Sequence, residues 1–269
     1  MKTAIKLVLI YFVCQIAGAL LVMIPSFIIN LINAGDIEKT SSLTLALSMF
    51  AGFLLMAFYL YKAGYISKER VTWSPISVSY LLYSIIIAVS SIIVIDFLMS
   101  AMPWLPNWLE DSFNLLQSGW FGIACVAVLG PVLEELLFRG GVTKVLLKKY
   151  TPAKAIIFSA LIFGIFHLNP VQVLGASLMG LLLAWVYYKT ASLIPCILMH
   201  IINNSLSVYL NFEYPNAEYM RDITGGNGYY AAVTAAVVLI VITYLLMRKT
   251  TVAYNWRQEE NTDEIMKGL

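Results

Sequence analysis

Eight long apolar runs dominate this chain, at residues 5–32, 43–61, 78–99, 121–147, 153–168, 171–188, 192–211 and 229–247. A bilayer core about 30 Å thick takes roughly 20 apolar residues per helix. Backbone polar groups at that depth must be satisfied within the segment, so runs this long predict helices. The fifth and sixth are joined only by Asn169-Pro170. No wide polar segment and no internal repeat divides the 269 residues. The expected fold is all-α: one integrated polytopic helix bundle of about eight transmembrane helices in a cell membrane, surrounded by lipid. Charge agrees with this. Only 12% of residues are charged, against about 25% in a typical soluble domain. That is too little to cover a soluble surface, and a net charge of +2 does not build a phosphate-binding face. A cytosolic enzyme, a disordered chain and a nucleic-acid partner are excluded. Cys14, Cys125 and Cys196 each fall inside an apolar run and are read as small hydrophobes.

Orientation follows from the basic residues. With the N-terminus in the cytosol, 15 of the 17 Lys and Arg residues lie inside, and only Lys39 and Arg221 lie outside. This predicts an N-in, C-in bundle. The start resembles a signal peptide, but its apolar stretch runs on to about Ile32, so an uncleaved first helix is expected. The external segment 103–120 has Glu110 and Asp111 but no Lys or Arg, and its Trp104, Trp108 and Trp120 suit an interfacial belt. The polar tail 248–269 ends Met266-Lys267-Gly268-Leu269. A prenylation box needs Cys at 266, so this chain is not expected to be prenylated.

Ionisable groups at membrane depth are costly and default to function. Glu134 and Glu135 sit together in the fourth run, in Gly130-Pro131-Val132-Leu133-Glu134-Glu135-Leu136-Leu137-Phe138-Arg139. Glu135 and Arg139 are spaced i,i+4 and can pair on one helix face, which turns Glu134 about 100° away for other work. His167 closes the fifth run and His200 lies in the seventh; the chain has no other histidine. A lone helical histidine is usually a satisfied core residue, but two at membrane depth point to chemistry. His200 and Asn204 share a face at i,i+4, whereas Asn203 is expected to point elsewhere and bond a neighbouring helix.

A carboxylate, two imidazoles and a carboxamide around one cavity suit acyl hydrolysis. Glu134 could take a proton from a water held by His167, and His200 and Asn204 could donate to the developing oxyanion. Alternatively, Glu134, His167 and His200 match a catalytic zinc set with an open position. Residue types alone do not separate these. Other intramembrane protease patterns fail: there is no His-Glu-x-x-His, Gly175-Ala176-Ser177-Leu178 lacks the last Gly of Gly-x-Ser-Gly, and no Gly-x-Gly-Asp exists. Asp96, near the outer end of its run, is read as interfacial.

Glu-Glu-x-x-x-Arg at 134–139, Phe-x-x-x-His at 163–167 and His-x-x-x-Asn at 200–204 occur in order. Together they resemble the CPBP family, the CAAX-protease and bacteriocin-processing (Abi) intramembrane proteases, over roughly residues 120–210. The resemblance implies an all-helical membrane endopeptidase in which Glu134 and His167 activate water. His200 and Asn204 would form the oxyanion hole, with Glu135 and Arg139 supporting the site. Members are often labelled metalloproteases, so a divalent metal such as zinc is one expectation and metal-free glutamate chemistry the other. The expected substrate is a membrane-associated or lipidated peptide or protein, cut near the cytosolic leaflet. The expected division is 1–119 for three membrane helices and an external amphipathic segment, 120–211 for the catalytic core, and 212–269 for the last helix and tail. Two other functions stay open. One is a non-catalytic membrane immunity or scaffold protein. The other is a small proton-coupled transporter, which would call for two related halves that the sequence does not display.

Overall fold

A computed structural model describes residues 1–34, 41–251 and 254–256. Lys39, Arg257, Lys267 and the last residues of the tail lie outside these. Ten helices and one 3-10 turn (Arg70–Trp73) make up the fold, with no strand among the described residues. They are α1 (Lys2–Ala34), α2 (Ser42–Lys62), α3 (Val78–Ser100), α4 (Glu110–Gln117), α5 (Trp120–Lys149), α6 (Pro152–Phe166), α7 (Pro170–Thr190), α8 (Ile194–Glu213), α9 (Met220–Thr224) and α10 (Gly226–Thr250).

Local signals set the ends. Ser41 and Ser77 cap α2 and α3 by accepting the Thr44 and Tyr80 N–H groups, which would otherwise be orphaned. Pro152, Pro170 and Pro195 stand in the first turns of α6, α7 and α8, where the missing N–H costs nothing. Lys148, Lys149, Lys189, Arg248 and Lys249 sit in last turns, against the negative helix end.

The protein is a polytopic helical membrane protein. Six helices are long and apolar enough to cross a bilayer: α1, α2, α3, α5, α7 and α10. This is fewer than the eight expected, for two reasons. α6 has only 15 residues, about 22 Å of helix. α8 has 20 residues but carries His200, Asn203, Asn204, Ser207 and Asn211 along its length. Both helices line an internal cavity. Lipid-facing residues are instead concentrated on helices such as α1 and α10, where Leu9, Val13, Ile16, Val238, Val241 and Leu245 are exposed.

Small residues bring backbones together, as is usual where lipid supplies no hydrophobic drive between helices. A Cβ on Gly18 would collide with the Gly52 backbone, joining α1 to α2, and one on Gly164 would collide with Ser177 and the Val173 carbonyl, joining α6 to α7. α5 is the central helix. It widens to π geometry over Cys125–Leu129 and again over Leu136–Thr143, with an α-helical turn and a half, Gly130–Glu135, between. Such widenings recur at functional sites, and here they flank the two adjacent glutamates.

Candidate active site

Pro131 explains the first widening. Its ring cannot donate to the carbonyl one turn back and would clash with it in a regular helix. The Gly130 N–H turns to the Cys125 carbonyl, and the residue five on from Val126 is Pro131, which has no N–H. The Val126 carbonyl is instead met from α8, where Asn204 Nδ2 donates to it at 2.9 Å. A carbonyl can only accept, so this bond fixes the amide's orientation. The same amide's oxygen accepts from Asn203 Nδ2 at 3.0 Å. One Asn204 N–H remains for the cavity.

The glutamates divide as their spacing predicts. Arg139 Nη1 donates to Glu135 Oε1 at 2.8 Å, and both side chains are fully buried. Arg139 Nη2 reaches the Gly180 carbonyl at 3.5 Å. Glu135 has a further partner that spacing could not show: His200 Nδ1 donates to the same Oε1 at 2.7 Å. This leaves His200 Nε2 facing Glu134 Oε2 at 3.8 Å. That gap is too long for a hydrogen bond, but a water alongside can touch both atoms at about 2.8 Å. Glu134 Oε2 is buried and has no hydrogen-bond partner.

Phe163 holds both histidines. Its carbonyl accepts from His167 Nδ1 at 2.8 Å. Its ring meets the His167 and His200 rings edge-on at 5.0 and 5.7 Å. The Arg139 guanidinium lies over that ring at 4.5 Å, a favourable cation–π distance. The His167 proton therefore sits on Nδ1, leaving Nε2 as an acceptor. The chain turns sharply beyond it. Leu168 takes a left-handed conformation, φ 55°, which a non-glycine residue holds at some cost. Buried Asn169 then grips the 103–109 segment. Its Oδ1 accepts the Trp108 N–H at 2.9 Å, and its Nδ2 donates to Asn107 Oδ1 at 2.8 Å.

All four expected catalytic side chains, Glu134, His167, His200 and Asn204, line one cavity of about 910 Å³. Asn203 lines it too, contrary to the expectation that it points elsewhere; the Asn203–Asn204 bond draws it in. Gln172 and Ser207 add polar lining that no motif announced. Glu135 and Arg139 stand behind the wall. Asp96 is a strut outside the cavity: it accepts from the Met220 N–H at 3.2 Å and the Tyr229 hydroxyl at 2.7 Å, tying α3 to α9 and α10. The cavity opens among Asn107, Glu110, Asn114, Asn216 and Tyr219. Burial pushes the Tyr219 phenol up, with Glu218 adding to the shift, so Tyr219 presents a hydroxyl donor there. This mouth is at the end away from the basic helix termini. Among the described residues no group of three His, Cys, Asp or Glu side chains is gathered at metal-ligand spacing.

Residues 116–206 match the family model described as Type II CAAX prenyl endopeptidase Rce1-like. A Bacillus subtilis (strain 168) protein described as "Putative membrane peptidase YdiL" is 31% identical over 100 residues, 37% of this chain and 41% of the relative. The match thus spans about two fifths of that relative's length. No solved structure matches the chain. The matched segment runs from the end of α4 into α8 and contains all six residues singled out above.

Proposed function

We propose that this chain, whose residues 116–206 match the Rce1-like CAAX prenyl endopeptidase family and which is similar to the "Putative membrane peptidase YdiL", is an intramembrane protease of the CPBP family that hydrolyses a peptide bond in a membrane-associated or lipidated polypeptide. The observation that carries this is the buried Glu134 Oε2, which has no hydrogen-bond partner, beside His200 Nε2 and in one cavity with His167 and Asn204.

In this mechanism a water binds between Glu134 and His167. His167 Nε2, an acceptor because its other nitrogen donates to Phe163, orients one water proton while Glu134 removes the other. The water oxygen forms a bond to the scissile carbonyl carbon, and the carbonyl electron pair moves onto oxygen. Asn204 meets that oxyanion with its remaining N–H. His200 meets it from Nε2 when the ring carries both protons. Collapse of the intermediate breaks the C–N bond, and Glu134 returns its proton to the departing amine. Each oxyanion donor in such a site is worth about 10²–10³ in rate.

The test compares peptide termini across the membrane proteome of cells carrying wild-type protein and cells carrying Glu134→Gln at equal abundance. Termini present only with wild type support hydrolysis and name the substrate. Identical termini, with any cellular phenotype retained by the variant, favour a binding role.

A further inference from the structure

We propose that the active-site cavity opens to the extracytoplasmic face, so that the substrate is the extracytoplasmic part of an exported or membrane-anchored polypeptide rather than a cytosolic one. This deepens the hydrolytic function proposed above and rests on it for the word substrate; the direction of opening stands on its own observations.

The first observation is which half of each helix lines the cavity. From α5 these are Val126, Gly130 and Glu134, all in its first half. From α6 they are Phe163 and, just past its end, His167; from α7, residues 171–179 near its start. From α8 the lining begins at His200 and proceeds only toward the C-terminal end, through Asn203, Asn204, Ser207 and Asn211. α5 and α7 run the opposite way to α6 and α8 through the bundle, yet all four contribute their ends on one side. The catalytic groups form the floor of a well whose walls rise to the 103–117 and 215–219 segments.

The second observation is what lies beneath that floor. From Glu135 to Lys149, α5 continues for about 21 Å. Leu137, Phe138, Arg139, Val142 and Leu146 along it are all buried. No residue on this stretch lines the cavity. A polypeptide from that side would have to displace the protein core.

The third observation is charge. The closed end carries the basic termini: the start of α1, the ends of α2, α5, α7 and α10, and the start of α6. The open end carries Asp96, Glu110, Asp111, Glu213, Glu218 and Asp222, with Arg221 as the one basic residue among those described. Basic residues stay in the cytosol and acidic ones have little effect on orientation. The closed end is therefore cytosolic and the mouth external. Exposed Trp104, Trp108 and Trp120 ring the same end, where an interfacial belt would place them.

The test is thiol accessibility in intact cells, with a membrane-impermeant maleimide and the parent protein as background for its native cysteines. Asn216→Cys at the mouth and Ser207→Cys within the well should label before permeabilisation. Lys68→Cys at the closed end should label only afterwards. The same pattern should appear with Glu134→Gln added, because direction does not depend on catalysis. Labelling of Lys68→Cys in intact cells, or silence of Asn216→Cys, overturns the proposal. So does a Ser207→Cys that reacts only after permeabilisation. Glu134-dependent peptide termini should lie in extracytoplasmic segments. Cytosolic termini would overturn this inference and leave hydrolysis standing. An absence of such termini would sink the hydrolytic function while labelling still decided the direction.

Discussion

His200 gives its Nδ1 proton to Glu135 at 2.7 Å, and this single bond decides what the rest of the site can do. It fixes the imidazole so that Nε2 addresses Glu134, and it ties a histidine on α8 to the same carboxylate oxygen that Arg139 grips one turn further along α5. Removing Glu135 thus has two separable effects. Glu135→Gln should lower cleavage about 10–100-fold, the usual loss when a supporting hydrogen-bond partner is removed, and should also lower thermal stability because Arg139 is left buried and unpaired. Adding Arg139→Gln should recover much of the stability and none of the activity. Melting temperature and cleavage rate of the two proteins in detergent or nanodiscs check this; recovery of both together would mean that Glu135 only balances charge.

Pro131 and Asn204 should be coupled although they lie on different helices. Asn204→Ala strands the Val126 carbonyl, at a cost of about 1–3 kcal/mol, and removes the proposed oxyanion donor, with an expected rate loss of about 10²–10³. Pro131→Ala restores an N–H that can reach that carbonyl. In a double-mutant cycle the stability cost of Asn204→Ala should shrink on the Pro131→Ala background, while its rate loss persists. Additive stability changes would show that the proline does not free the carbonyl.

Gly164 and Phe163 together place His167. A side chain at Gly164 meets the α7 backbone at Val173, and backbone atoms cannot give way as a flexible side chain would. Gly164→Ala should therefore part α6 from α7 and carry His167 off the cavity. Phe163→Leu keeps apolar volume but loses the aromatic contacts to both histidines and to Arg139. Both variants should lose at least tenfold in cleavage, and Gly164→Ala should also melt earlier. Wild-type rates in either would remove that residue from the account.

Asn169 should act on the mouth. Asn169→Ala frees the Trp108 N–H and Asn107, which hold the 103–109 segment over the cavity. The expected outcome is faster proteolysis within 103–109 and a raised KM, with kcat less affected. An unchanged proteolysis rate would mean that other contacts hold this segment.

Much of this architecture is legible in the apolar runs, because lipid forces each of them to close its own backbone bonds. α8 is the instructive exception. Its run fits a span by length, yet its polar stripe of His200, Asn203, Asn204, Ser207 and Asn211 faces the cavity, and a residue count cannot tell a cavity from lipid. The i,i+4 spacings of Glu135 with Arg139 and of His200 with Asn204 place each pair on one face of its helix. The Glu135–His200 bond joins residues 65 apart, and the Asn107–Asn169 bond joins residues 62 apart. No local pattern encodes either. Asn203 misleads for the same reason: helical angle turns it from Asn204, but the wide cavity takes in both. The direction of opening is also hidden, since it depends on which half of each helix is packed shut.

The central claim is that Glu134 supplies the base. With a substrate segment in hand, reconstituted wild-type and Glu134→Gln proteins can be compared for cleavage rate and for binding of that segment under the same conditions. The account predicts a rate loss of at least 10³ with binding held within about threefold, since the amide keeps the shape of the carboxylate but cannot take a proton. A Glu134→Gln protein that cleaves within tenfold of wild type would contradict it.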